Sequence, residues 1–563
     1  MNPDRTRSTG KPGAGRVLGR RDALRLIGLA AASAWAGRDA AGEPAPAPAP
    51  AGQASAKRPN ILLAIADDAS WPHMSAYGCS WVKTPAFDRV AREGLLFDNA
   101  YTPSAKCAPS RSCILTGRNP WQLDQAANHE CYFPAKFKTF MEALGEQGYH
   151  VGHTLKSWAP GTALTADGKR REMTGKAYNR RTLQPPTTGI ARNDYAANFA
   201  DFLDDRPAGK PFCFWYGSIE PHRPYEYGTG PRDTGRQPAD VTRVPPYWMD
   251  NQTVRTDMLD YAREIEYFDL HLGRMLALLV QRGELDNTLV VVTADNGMPF
   301  PRSKGQCYDV SNHMPMAAMS KAGISRPGRK LDAFVSFTDF APTALELAGL
   351  TAERAGMQPI TGRSLTDLFV AGPADGGATG SSGAAGTRDH VLIGRERNDV
   401  GRPGDAGYPV RGIVKDGFLY LINFEPTRWP ACNGETGYLD VDGSPTKTLC
   451  IQARKDPQVK KFWQLAFGRR GGEELYDLRT DRDCVTNLAG QPTCAARKQQ
   501  LREQLLRELT DQGDPRVLGK GDAFDRYPYA NPKVRGFYER WQKGERPKAG
   551  WVNESDFEPG PVE

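Results

Sequence analysis

The sequence predicts an α/β fold, with a large, mainly parallel sheet flanked by helices and a smaller C-terminal part carrying a short antiparallel sheet and a helix. Two apolar runs carry the prediction of the large sheet. PNILLAIADD (59–68) and NTLVVVTADNG (287–297) are continuously apolar and end in polar pairs, the pattern of strands buried on both faces. Between them, residues 254–282 place Leu259, Ile265, Leu272, Met275 and Leu276 at helical spacing. That stripe reads as core, and strands alternating with helices point to a parallel sheet.

The amino terminus reads as an export signal. GRRDALRLIGLAAASAWA contains Arg20, Arg21 and a short apolar run, too short to span a membrane. The arginine pair points to the twin-arginine route, and small residues near Ala36 and Ala41 offer cleavage sites. Residues 1–41 are therefore expected to be a signal peptide and 42–56 an Ala/Pro spacer. The expected location is periplasmic or secreted. Residues 1–56 hold eight Lys or Arg against four Asp or Glu, so they supply +4 of the net +7. The remaining +3 is scattered, which argues against a nucleic-acid partner.

The large domain is expected over 57–371. A Gly/Ala/Ser-rich linker or insertion follows over 372–389, then a C-terminal subdomain over 390–545 and a tail over 546–563. RGIVKDGFLYLINF (411–424) reads as antiparallel strands and ARKQQLREQLLRELTDQG (496–513) as an amphipathic helix. Ten cysteines in an exported chain permit disulfides. Cys432 with Cys450 and Cys484 with Cys494 are the most local candidate pairs, and sequence alone does not settle the connectivity.

KCAPSRSCILTGR (106–118) is the densest motif. Pro109 suits the first turn of a helix and Gly117 its stop, which places Cys107 just ahead of a helix N-terminus. Asp67, Asp68, Asp295 and Asn296 fall at the carboxyl ends of the two buried strands, where ligands of parallel sheets collect. Three carboxylates and an amide oxygen form a hard-ligand set suited to Ca²⁺ or Mg²⁺. Each pair taken alone also reads as a turn or helix cap.

Cys107-Ala108-Pro109-Ser110-Arg111 followed by Leu115-Thr116-Gly117-Arg118 resembles the signature of the type I sulfatases. VSFTDFAPTALELAGL, TGRSLTDLF and ELYDLRTDRDCVTNLAG extend the resemblance over most of 57–545. Within the family, TADNGMPFPRSKGQCY and EPHRPYEYG look most like the N-sulfoglucosamine sulfohydrolase (heparan sulfamidase) branch. The resemblance implies an alkaline-phosphatase-like sandwich. It also implies that a formylglycine-generating enzyme oxidises Cys107 to formylglycine, whose hydrate attacks sulfur and then releases sulfate.

The resemblance further implies that Asp67, Asp68, Asp295 and Asn296 hold Ca²⁺, ahead of Mg²⁺, together with the modified Cys107. Arg111 would hold the hydrate, Lys156 and Lys304 would contact sulfate oxygens, and His222 would protonate the leaving nitrogen or oxygen. Lys156-Ser157-Trp158 departs from the family's Lys-x-His segment. Either another residue fills that histidine's role or Trp158 shapes a sugar-stacking wall. Lys304 stands where the human-type sulfamidase has an arginine. His129 and His313 are expected to line the substrate pocket. The expected substrate is a sulfated saccharide, N-sulfoglucosamine first. Alternatives are an O-sulfatase, a phosphodiesterase or phosphonate monoester hydrolase, and an inactive glycan-binding protein.

Overall fold

The computed structural model describes residues 58–370 and 388–562. The expected signal peptide, its cleavage sites, the spacer and most of the 372–389 linker lie outside the described residues. Among the described residues, fourteen strands run in chain order. They are β1 (Asn60–Ala66), β2 (Leu95–Tyr101), β3 (Cys131–Phe133), β4 (His150–Leu155), β5 (Gly161–Ala163), β6 (Lys176–Ala177) and β7 (Phe212–Gly217). The remainder are β8 (Thr288–Ala294), β9 (Met316–Met319), β10 (Arg329–Ser336), β11 (His390–Arg395), β12 (Val410–Lys415), β13 (Phe418–Asn423) and β14 (Glu473–Asp477).

Eight of them form one sheet in the order β10-β2-β9-β8-β1-β7-β4-β6. All pairings are parallel except those of β9 with β2 and β8. β1 and β8, the two apolar runs, lie side by side with Ala66 opposite Ala294. Every residue of both is buried, because helices cover both faces of the sheet. The helix Gln252–Gln281 is one of these, and all five residues of its predicted stripe are buried.

The smaller sheet is antiparallel in the order β11-β12-β13-β14. Helix Ala495–Asp511 presents Leu501, Leu505 and Leu509 at i, i+4 spacing, and these fully buried residues pack with Ile413, Tyr420 and Leu475. The stretch 546–562 is anchored by ion pairs from Lys447 to Asp556 and from Arg454 to Glu558.

The disulfide expectation is corrected: all ten cysteines are free. The members of each expected pair are sequence neighbours but pack in separate apolar clusters. Cys450 sits in the main core and Cys432 among Val400, Leu439 and Tyr529. Cys484 and Cys494 are divided in the same way.

Candidate active site

Because β1 and β8 are parallel neighbours in register, Asp67-Asp68 and Asp295-Asn296 emerge side by side at one edge of the sheet. Asp68 takes a left-handed φ of 77°, which turns the chain abruptly so that both aspartates face the same point. Carboxylate oxygens of Asp67, Asp68 and Asp295 lie within 4.8 Å of one another. Asp295 Oδ1 accepts from the backbone N–H groups of Asp68 and Asn296 at 3.1 and 2.8 Å. The Asn296 amide nitrogen donates to Asp68 Oδ1 at 2.6 Å, while its Oδ1 is buried without a hydrogen-bond partner among the described residues.

The signature helix spans Cys107–Thr116, with Lys106 as its N-cap residue and Gly117 ending it in left-handed geometry at φ 69°. It begins at Cys107 itself, whereas the sequence places that cysteine just ahead of the helix. Pro109 occupies the third helical position, still among the first four N–H groups without an intrahelical acceptor. Cys107 is therefore in the first turn, where the helix dipole favours negative charge. Its Sγ lies 3.5 Å from Asp67 Oδ1, 3.9 Å from Asp68 Oδ1 and 3.4 Å from Lys156 Nζ.

Arg111, one helical turn on, is fully buried. Its Nε donates to Asp295 Oδ2 at 2.7 Å, its Nη2 to Asp67 Oδ1 at 3.4 Å, and its Nη1 to the carbonyls of Lys156 and Ser157 at 2.7 Å each. Lys156, at the exit of β4, bonds Asp67 Oδ2. Lys304 Nζ bridges Asp68 Oδ2 at 2.7 Å and Asp442 Oδ2 at 3.0 Å. His222, in the loop after β7, donates Nδ1–H to the Arg223 carbonyl at 2.6 Å and holds Nε2 3.8 Å from Asp68 Oδ2.

Burial pushes the Cys107 thiol well above its ordinary range, and Asp67 adds to the effect against the pull of Lys156 and Lys304. Burial also resists charge on Asp67, but Lys156, His222 and Arg111 together outweigh it and hold that carboxyl low. Asp295 remains raised, because burial there outweighs Arg111. Lys156 stays firmly protonated, burial being overcome by Asp67, Cys107 and Asp295 together.

These residues line a cleft of about 440 Å³. The structure brings Asp67, Cys107, Lys156, His222, Lys304 and His129 to it, while Asp68, Arg111, Asp295 and Asn296 form its buried floor. Two expectations are corrected. Trp158 packs in the main core, edge-on to Phe133, with Nε1 donating to Ser112 Oγ at 2.9 Å, and it forms no wall of the cleft. His313 is fully buried, stacked between Trp71 and Tyr101 at 4.4 and 4.5 Å, with its ring nitrogens taken by Asp309 and the Asp98 carbonyl. Lys106, Asp399, Asp442, Tyr529 and Trp551 also line the cleft. Sequence reading missed all five. Only Lys106 carried a signal, as the neighbour of Cys107.

The sulfatase family model matches residues 59–350, more than half the chain and the stretch that carries Cys107, Arg111, Lys156, His222, Lys304 and the four oxygen donors. The chain belongs to the sulfatase family. As a sulfatase it is a sulfuric ester hydrolase, and its sheet and smaller C-terminal domain agree with solved relatives. It is 27% identical to human N-sulphoglucosamine sulphohydrolase over 83% of this chain and 93% of that protein. It is 26% identical to an ulvan-active sulfatase of Formosa agariphila over 84% of this chain and 78% of that one. A solved protein in complex with its substrate D-glucosamine-2-N,6-O-disulfate superposes with a TM-score of 0.57 at 20% identity, covering 81% of this chain and 99% of that one. This last likeness is one of fold.

Proposed function

We propose that this sulfatase removes sulfate from glucosamine-type sugars, N-sulfoglucosamine first, through Cys107 in its formylglycine form and a bound Ca²⁺. The observation that carries the reading is the convergence on Cys107 of three carboxylates, Arg111, Lys156, Lys304 and His222. The similarity to human N-sulphoglucosamine sulphohydrolase along nearly the whole of that protein supports the choice of sugar.

The residues fit a hard divalent cation. Three clustered carboxylate groups and Asn296 Oδ1, which has no hydrogen-bond partner among the described residues, offer four hard oxygen donors at one point. Asp67, Asp68, Asp295 and Asn296 would hold Ca²⁺, which supplies charge neutralisation to the sulfate group. Formylglycine at position 107 supplies a nucleophile that can be regenerated after sulfate is taken up.

The chain's own groups do the rest. Arg111, committed to four acceptors, fixes the carboxylates and the helix that carries residue 107. Lys156 and Lys304 each rest on a carboxylate of the cation site, and with Ca²⁺ held there their ammonium groups would be available to sulfate oxygens. His222, with Nδ1–H committed to the Arg223 carbonyl, presents Nε2 to deliver a proton to the leaving nitrogen or oxygen.

The test is sulfate release from glucosamine N-sulfate and glucosamine 6-O-sulfate, run side by side. The protein is co-produced with a formylglycine-generating enzyme, and Cys107→Ala serves as the blank. Release from the N-sulfate is expected. Release from the ester alone moves the substrate to O-sulfated glycans, and silence on both removes the glucosamine assignment.

The Arg20-Arg21 pair and the apolar run behind it support export by the twin-arginine machinery to the periplasm or beyond. That route carries folded protein, whereas cysteine oxidation acts on the unfolded chain, so modification precedes export. Protein held inside a transport-deficient strain is expected to be active already. Inactive trapped protein would reverse the order.

A further inference from the structure

Beside Cys107 the cleft holds a second group of ionisable side chains that the chemistry above leaves unused. Asp399 accepts from three of them: Lys106 Nζ at 2.7 Å, the Tyr529 hydroxyl at 2.8 Å and His129 Nδ1 at 3.1 Å. None of the four residues is more than 8% exposed, and all line the cleft. The backbone fixes both ends of the central contact. Asp399 N–H donates to Asp440 Oδ1 at 2.8 Å, and His129 N–H donates to the Arg397 carbonyl at 2.9 Å. A buried ion pair seldom stabilises a fold more than apolar packing of the same volume. Stability alone therefore does not account for four such groups at the wall of a reaction cleft.

The carboxylate can only accept, so Nδ1 of His129 carries the proton and the lone pair of the neutral ring lies on Nε2. Nε2 makes no hydrogen bond among the described residues. Burial pushes His129 below its ordinary range against the pull of Asp399, which keeps the ring neutral. Lys106 is already paired, so the group has no spare positive charge for a second anion. A neutral acceptor at the wall of the cleft suits an O–H donor.

We infer that the His129–Asp399 pair reads a ring hydroxyl of the sulfated sugar, which donates to His129 Nε2. His129 is the specificity-determining contact, and Asp399 is a positioning residue that sets its tautomer and orientation. The inference rests on the sugar-sulfate reading above.

Its test compares kcat/KM for glucosamine N-sulfate and 6-O-sulfate with kcat/KM for 4-nitrophenyl sulfate, which has no hydroxyl. In His129→Ala the sugar-to-aryl ratio falls about tenfold, the worth of one hydrogen bond, and the loss appears mainly in KM. Asp399→Asn shifts the ratio in the same direction. Aryl sulfate turnover reports folding in each preparation, and His129→Gln replaces the alanine variant if that one does not fold. Of the 3-deoxy and 4-deoxy analogues, the one lacking the read hydroxyl loses a similar factor with the unsubstituted enzyme and nothing further with His129→Ala. A sugar-active enzyme whose ratio stays within twofold in His129→Ala, or whose losses simply add, overturns this inference alone. Cleavage of the aryl sulfate with no glucosamine sulfate turned over overturns the sugar reading and this inference together.

Discussion

Lys304 lies between Asp68, a member of the proposed cation site, and Asp442, a residue contributed from 138 positions further along the chain. Asp442 is held as a carboxylate, burial being outweighed by Lys304, His222 and Lys106 together. When a cation engages Asp68, Asp442 is the anchor left to aim the ammonium group at sulfate. Asp442→Asn is therefore expected to lower kcat/KM by roughly 10- to 100-fold, the range for a hydrogen bond to a charged group. Steady-state kinetics on whichever glucosamine sulfate is cleaved provide the check, and a change within twofold would remove the role. The site divides on this point between what sequence shows and what it hides. Asp67, Asp68, Asp295 and Asn296 were legible because each pair ends an apolar run, and adjacent parallel strands must bring such ends together. Asp399, Asp442, Tyr529 and Trp551 come from loops of the C-terminal part, where no periodicity marks the residue that turns inward. His313 and Trp158 misled for the converse reason: a polar tip near a motif says nothing about whether the ring stacks in the core.

Among the elements, the parallel pairing of β4 with β7 sets the position of Lys156. Gly217 ends β7, its carbonyl accepts from the Lys156 N–H at 3.2 Å, and an added Cβ there would lie 1.8 Å from the Lys156 carbonyl oxygen. The obstacle is backbone, so it cannot swing aside. Gly217→Ala is expected to cost about 2 kcal/mol or more, at the upper end for overpacking, and to lower activity by displacing the ammonium of Lys156. Urea midpoints and kcat/KM measured on one preparation test both effects, and an unperturbed variant would show that β4 tolerates the shift. The signature helix teaches a related lesson about legibility. Its stop at Gly117 was readable because a left-handed residue there needs glycine. Its start was not, because Pro109 is tolerated anywhere in the first turn and the N-cap, Lys106, makes no side-chain capping bond. The strand pair over 411–424 and the helix over 496–513 were legible from period alone, and the structure realises them as β12, β13 and Ala495–Asp511.

At the scale of the whole molecule, two conditions tune stability. His271 is fully buried, both ring nitrogens lack hydrogen bonds among the described residues, and burial, with Arg274, depresses it to about 4 against the pull of Asp194, 3.9 Å from Nδ1. The unfolded chain binds a proton there near 6.5 while the fold excludes it, so this contribution is present above about 6.5 and is lost as pH falls toward 4. Between pH 7 and 5 the loss is about 2 kcal/mol. His271→Leu should flatten that part of the pH dependence in urea unfolding, and a slope unchanged by the substitution would assign it elsewhere. Calcium acts in the opposite sense. Ligand at 100 times Kd adds about 2.7 kcal/mol, so Tm of chelator-treated protein should rise on adding Ca²⁺, and Asp295→Asn should abolish the rise. The central claim remains that Cys107 is the reacting residue and works only after oxidation. The most direct measurement is the mass of the peptide containing residue 107, taken from the same preparations whose sulfate release is assayed. The account predicts formylglycine at that position in proportion to activity across preparations made with and without the generating enzyme. Full activity in protein carrying only the cysteine thiol would contradict it.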